Sequence, residues 1–131
     1  MSSSAEYVLD STAVIAVLYA EPGHQYINEV LHKSAVSTVN LAEIVNKLAQ
    51  RGSTSEALRE SLIRLKLQVI DWTEAMAYES AEFTHFSKSH GISLGDRACL
   101  TLAKQLRATA VTSDRAWRRL PALGVRIMIF R

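Results

Sequence analysis

Glu6-Tyr7-Val8-Leu9-Asp10-Ser11-Thr12-Ala13-Val14-Ile15 changes its hydrophobic pattern in the middle, at a carboxylate. Tyr7 to Leu9 is a compact apolar run that suits a strand buried on both faces. After Asp10, apolar residues recur at Val14, Val17 and Leu18, one face of a helix reaching about Ala20. The reading is strand, acid, helix. In an open α/β sheet, ligands bind beyond the carboxyl ends of the strands, which is where this acid falls.

The rest of the chain repeats the alternation. Glu21-Pro22-Gly23 stops the first helix, and Ile27, Val30 and Leu31 mark a second short helix ending near Lys33. Residues 35–38 read as a strand. Asn40 reads as the N-cap of a third helix from Leu41 to about Gln50, with Glu43 three residues on in capping-box fashion and Gly52 as its stop. Ser53-Thr54-Ser55 caps a fourth helix with Leu58, Leu62 and Leu65 on one face. Residues 68–71 read as a third strand, and a fifth helix runs from Thr73 to about Ser87. Gly91 interrupts the chain, and Ser93 with Asp96 repeats the capping-box spacing before a sixth helix carrying Ala98, Leu102 and Leu106. Residues 109–112 form a strand, followed by Ser113-Asp114, a short helix over 115–119, a loop at Pro121 and a last strand over 125–130. Strands alternate with helices and no hairpin signal intervenes. One domain over residues 1–131 is therefore expected: α/β, with a mostly parallel sheet of four to five strands flanked by helices in three layers.

Composition is consistent with that. Of the 131 residues, 48% are hydrophobic and 21% charged, which describes a globular chain rather than a disordered one. No apolar run approaches the ~20 residues of a membrane span, and Met1 to Ala5 lack the features of a signal peptide. The single cysteine, Cys99, precludes an internal disulfide and fits a reducing cytoplasm. Net charge is only +2, but the last third is rich in arginine, which fits an anionic partner as well as solvated helix faces. His24, His32, His85 and His90 lack zinc-type spacing and read as surface residues. Trp72, Trp117 and Tyr78 admit stacking on bases but read rather as core or interface packing, and Cys99 reads as a small core residue. No glycine-rich phosphate loop is present.

Four acids occupy special places. Asp10 and Asp114 each follow a strand directly; Glu43 and Asp96 each fall in the first turn of a helix. Singly, each has a structural explanation as a cap or as a helix-dipole partner contributing about 0.3–1 kcal/mol. Together they are different, because two unit charges ~4 Å apart repel by roughly 4 kcal/mol at an effective dielectric near 20. Converging carboxylates need raised pKa values or a cation, and a ring of hard oxygens suits Mg²⁺ or Mn²⁺. Such an ion supports hydrolysis of a phosphodiester.

Tyr7-Val8-Leu9-Asp10-Ser11-Thr12-Ala13, the helical Glu43, Ser93-Leu94-Gly95-Asp96-Arg97-Ala98-Cys99-Leu100 and Val111-Thr112-Ser113-Asp114-Arg115-Ala116-Trp117 resemble the four acidic blocks of PIN domains. The similarity is greatest to VapC-type toxins of bacterial toxin–antitoxin pairs, and it covers nearly the whole chain in order. The resemblance implies a Mg²⁺- or Mn²⁺-dependent endoribonuclease acting on RNA, a cognate VapB-type antitoxin that blocks the site, and a toxin homodimer. It implies Asp10 and Asp96 as central metal ligands, with Glu43 and Asp114 acting directly or through water. Ser11 and Thr112 match hydroxyl positions that orient metal, water or substrate. Arg97 and Arg115 each follow an acid and admit two roles, a contact to substrate phosphate or an ion pair with the neighbouring carboxylate. The first, third and fourth helices are expected to leave an apolar groove for an amphipathic partner helix.

Two other readings stand beside this one. A haloacid-type phosphatase also places an aspartate after its first strand, but wants a second two residues later, where Thr12 stands. In a non-catalytic protein-binding module the four acids would be caps only.

Overall fold

The structure is a computed structural model and describes residues 4–84, 92–119 and 124–131. Five strands, β1 (Tyr7–Leu9), β2 (Ser34–Ser37), β3 (Gln68–Ile70), β4 (Thr109–Thr112) and β5 (Arg126–Ile129), form one sheet in the order β3-β2-β1-β4-β5. Every pairing is parallel. The order reverses between β1 and β4, so the sheet has its topological switch point where Asp10 leaves β1.

Among the described residues the α-helices are α1 (Ser11–Tyr19), α2 (His24–Asn28), α3 (Thr38–Gln50), α4 (Ser55–Arg64), α5 (Glu74–Glu79) and α6 (Leu94–Leu106). Successive strand residues point to opposite faces, and the core divides accordingly. Val8 and Ala110 pack on one face with Met76 and Phe83, with Leu100 and Leu102 of α6, and with Trp117. Leu9 and Val111 pack on the other with Val14 of α1, Ile27 of α2, Ile44 and Leu48 of α3, and Leu58 of α4. Both faces are covered, giving the three layers expected. Each fully buried Leu, Ile or Val contributes about 1.5–3 kcal/mol. Trp117 is buried and Trp72 packs against the same cluster, whereas Tyr78 is 76% exposed and belongs to no core.

Several boundaries differ from those read in the sequence. The second helix ends at Asn28, and Leu31–Lys33 forms a separate 3-10 turn, because the Ser34 hydroxyl donates to Val30 O as the chain turns into β2. The third helix starts at Thr38, capped by Ser37, whose Oγ accepts from Val39 N at 3.1 Å. Asn40 is therefore inside the helix and is not its cap, and Glu43 lies beyond the first turn. Ser37 ends β2 and caps α3 at once, so strand and helix join without a loop. α5 passes into a 3-10 turn over Ser80–Phe83, and the expected helix end near Ser87, the break at Gly91 and the loop at Pro121 lie outside the described residues. The Ser93–Asp96 capping box is formed as the spacing predicts. No helix among the described residues is long and apolar enough to cross a membrane.

Candidate active site

Asp10 is 4% exposed and both its oxygens are held. Oδ1 accepts from Ala13 N at 2.9 Å, capping α1, and from Thr12 Oγ1 at 2.7 Å. Oδ2 accepts from Thr112 Oγ1. The two hydroxyls are aimed by the exit of β4: Ser113 N donates to Thr12 Oγ1 at 3.2 Å, and Asp114 N to Thr112 Oγ1 at 3.0 Å. With its acceptor side occupied, each hydroxyl turns its own proton toward Asp10. Burial nevertheless pushes the Asp10 carboxyl up from the ordinary 3.8 to about 6, against the pull of these hydrogen bonds and with a further push from the charge of Asp96.

Glu43 is brought beside Asp10 by the direct β2–α3 junction. Its Oε1 accepts from Ser11 Oγ at 2.6 Å and from Asn40 Nδ2 at 2.9 Å. Asp96 arrives on the first turn of α6, where its Oδ2 accepts from Ser93 N at 3.1 Å. Its carboxyl is also raised, first by burial and then by the charges of Asp114 and Glu43. Asp10, Ser11, Thr12, Asn40, Glu43, Lys47 and Asp96 line one pocket of about 230 Å³ at the carboxyl end of the sheet.

Three of the four expected acids thus share a pocket. Asp114 stands apart from the lining: it is exposed, its Oδ1 accepts from Ala116 N at 2.9 Å, and it makes itself felt at Asp96 through its charge. Ser11 and Thr112 are hydroxyls of the site as expected, one bonded to Glu43 and the other to Asp10. Arg97 and Arg115 are turned to backbone instead: Arg97 Nη1 donates to Ile92 O at 3.2 Å and Arg115 Nε to Arg131 O at 3.3 Å. Neither forms an ion pair among the described residues.

Thr12, Asn40 and Lys47 belong to the site without having been singled out as site residues. Thr12 and Asn40 flank expected acids at two and three residues, but hydroxyls and amides in those places are ordinary helix-start residues. Lys47 sits one turn after Glu43 on α3, a spacing that in sequence reads as a surface ion pair. No such pair forms.

The donor set fits a hard divalent cation. None of the four acids is ion-paired among the described residues, and Glu43 Oε2 has no protein donor there. Among the described residues, however, no group of three or more His, Cys, Asp and Glu side chains is already arranged to hold a metal ion. Hydrogen bonds from Thr12, Ala13 and Thr112 hold Asp10, and those from Ser11 and Asn40 hold Glu43. Beneath the pocket, Cys99 is buried with Sγ 3.8 Å from Val8 O. Burial and the charges of Asp10, Asp96 and Glu43 keep its thiol protonated.

Residues 7–123 match the PIN domain family. This chain is a PIN domain. Solved structures resemble it over almost their full length. The VapBC2 complex from Rickettsia felis bound to a DNA fragment from its promoter has 24% identity and a TM-score of 0.71, covering 93% of this chain and 96% of that one. DNA-bound VapBC from Salmonella typhimurium has 20% identity and a TM-score of 0.67, covering 95% and 97%. A toxin–antitoxin complex from Klebsiella pneumoniae has 16% identity and a TM-score of 0.68, covering 91% and 94%. No curated protein matches the chain. At these identities the likeness establishes the PIN fold, in agreement with the five-stranded parallel sheet described above.

Proposed function

We propose that this PIN domain is the toxin of a type II toxin–antitoxin pair, a VapC-type endoribonuclease that depends on Mg²⁺ or Mn²⁺. The observation that carries the reading is the pocket at the switch point, where Asp10, Glu43 and Asp96 meet without a compensating ion pair among the described residues. Asp10 and Asp96 would hold the ion, with Glu43 and the rim residue Asp114 acting directly or through water. When bound, such an ion lowers the pKa of a water and offsets the charge of the phosphodiester. The chain's own groups prepare the site. Thr12 and Thr112 hold Asp10, Ser11 holds Glu43, and Lys47 offers an ammonium to the RNA backbone. The same polar network offsets part of the mutual repulsion of the carboxylates.

The partners follow from the same reading. The chain acts in the cytoplasm as a homodimer and is silenced by a cognate VapB-type antitoxin. Support for the antitoxin comes from the VapBC neighbours and from an apolar groove of about 430 Å³ between α3, α4 and β3, lined by Leu41, Val45, Leu58, Leu62, Ile63 and Val69. The expected contribution of α1 falls to a smaller adjoining pocket that includes Leu18 and Tyr19.

The test is RNA cleavage by the purified chain with Mn²⁺ and after chelation, alongside Asp10→Asn and Asp96→Asn. Cleavage lost on chelation and in both variants supports the assignment. Undiminished cleavage in both variants refutes the assignment of these acids. Hydrolysis of a small phosphate ester without RNA cleavage would return the phosphatase reading.

A further inference from the structure

Asn40 is 1% exposed, yet it lines the acidic pocket. Its amide nitrogen donates two hydrogen bonds, to Glu43 Oε1 at 2.9 Å and to Gly95 O at 3.0 Å. A carbonyl and a carboxylate can only accept, so these partners fix which end of the amide is nitrogen. Its Oδ1 is buried with no donor among the described residues. A buried acceptor without a partner is destabilising, so packing alone does not account for an amide here. The bond to Gly95 O joins α3 to the first turn of α6, 55 residues away, beside Asp96, while the bond to Glu43 lies within α3.

Gly95 supports the same arrangement from the other side. A Cβ at that position would overlap the Glu43 carboxylate, so α6 approaches α3 closely enough for the carboxylate to rest on bare backbone. Glu43 is therefore located by Ser11, by Asn40 and by the surface of α6.

We infer that Asn40 is a positioning residue that sets the Glu43 carboxylate against the first turn of α6, and so fixes the spacing of Glu43 and Asp96 toward a divalent cation. The inference rests on the nuclease reading. Outer groups that orient metal ligands typically change metal affinity by about 10–100-fold when removed.

The experiment is a calorimetric Mn²⁺ titration of the full chain and of Asn40→Ala, Asn40→Leu, Glu43→Gln and the combination of Asn40→Ala with Glu43→Gln, each checked for cooperative thermal unfolding. Asn40→Leu keeps the side chain's bulk without its donors, so it serves if Asn40→Ala fails to fold. The Asn40 variants should bind Mn²⁺ about 10–100-fold more weakly than the parent. In the Glu43→Gln background, Asn40→Ala should add no more than about twofold, because its effect runs through the group already removed. A purely structural role would instead lower affinity equally in both backgrounds, and that result overturns the inference. Parent and Asn40 variants binding Mn²⁺ alike overturns it as well, leaving the nuclease reading intact. A parent chain that binds no Mn²⁺ overturns both.

Discussion

The carboxylate of Glu43 occupies the space that a side chain on Gly95 would need. The obstructing group is the tip of a flexible side chain, so Gly95→Ala should fold. Alanine also favours the helix by about 1 kcal/mol relative to glycine, which offsets part of the lost Glu43 contacts. The expected result is a melting temperature close to the parent's with Mn²⁺ affinity and RNA cleavage down about tenfold or more. Calorimetry and a cleavage assay on the same preparation check it.

Asp10→Asn should make the metal-free protein more stable while abolishing its activity. The Asp10 carboxyl is raised from 3.8 to about 6, so holding it ionised above pH 6 costs about 3 kcal/mol. Asparagine can still accept from Ala13 N and cap α1, although its amide nitrogen meets the Thr112 hydroxyl donor to donor, which offsets part of the gain. The melting temperature at pH 7.5, without metal, should rise by several degrees, and RNA cleavage should disappear.

The pH dependence has a definite sign. Because its folded-state pKa is raised, native Asp10 binds its proton more tightly than the unfolded chain between pH 3.8 and about 6. Its contribution to stability therefore falls as pH rises through that window, and the loss is complete above it. Asp96 is shifted the same way. Metal-free protein should gain stability from these two groups on going from pH 7.5 to 5, and Mn²⁺ should stabilise more at pH 7.5 than at pH 5. Thermal unfolding with and without Mn²⁺ at both pH values measures this, and Asp10→Asn should flatten the metal-free trend.

Lys47 faces the pocket without pairing with its helix neighbour Glu43. Lys47→Ala should raise KM for RNA with little change in kcat. It should also shrink the slope of log affinity against log salt by about 0.7–1, as expected for one lost phosphate contact. Binding of a non-cleaved RNA at several salt concentrations decides it.

Ile63 is 66% exposed at the groove between α3, α4 and β3. Ile63→Asp should weaken the complex with the cognate antitoxin at least about tenfold, the scale of an interface anchor, and leave RNA cleavage by the free chain unchanged. Titration of the antitoxin into both forms, followed by residual cleavage, checks both halves.

Much of this was legible in the sequence, and the rest failed for identifiable reasons. Tyr7–Leu9 and Thr109–Thr112 carry their own boundaries, because a polar residue with capping ability follows each apolar run. Ser93 and Asp96 announce the start of α6 by spacing alone. Asn40 misled because asparagine is a good cap wherever a helix begins; only tertiary structure shows that Ser37 takes that role and frees the amide to reach Gly95. The part played by Thr12 depends on β4 lying beside β1, a contact between residues 101 apart. Arg97 and Arg115 neighbour acids in sequence, yet their side chains leave in other directions. Adjacency along the chain says little about which way a charge points.

β1 hands Asp10 directly to α1, and β2 hands Ser37 directly to α3. The backbone of two of the pocket's walls consequently has no slack of its own: the main chain at Asp10 cannot shift without disturbing the sheet, nor that at Glu43 without disturbing the helix that β2 anchors. With its backbone this stiff, the pocket leaves only side-chain tips to adjust around an ion. Control over it has to arrive from outside, as something that lies across the opening.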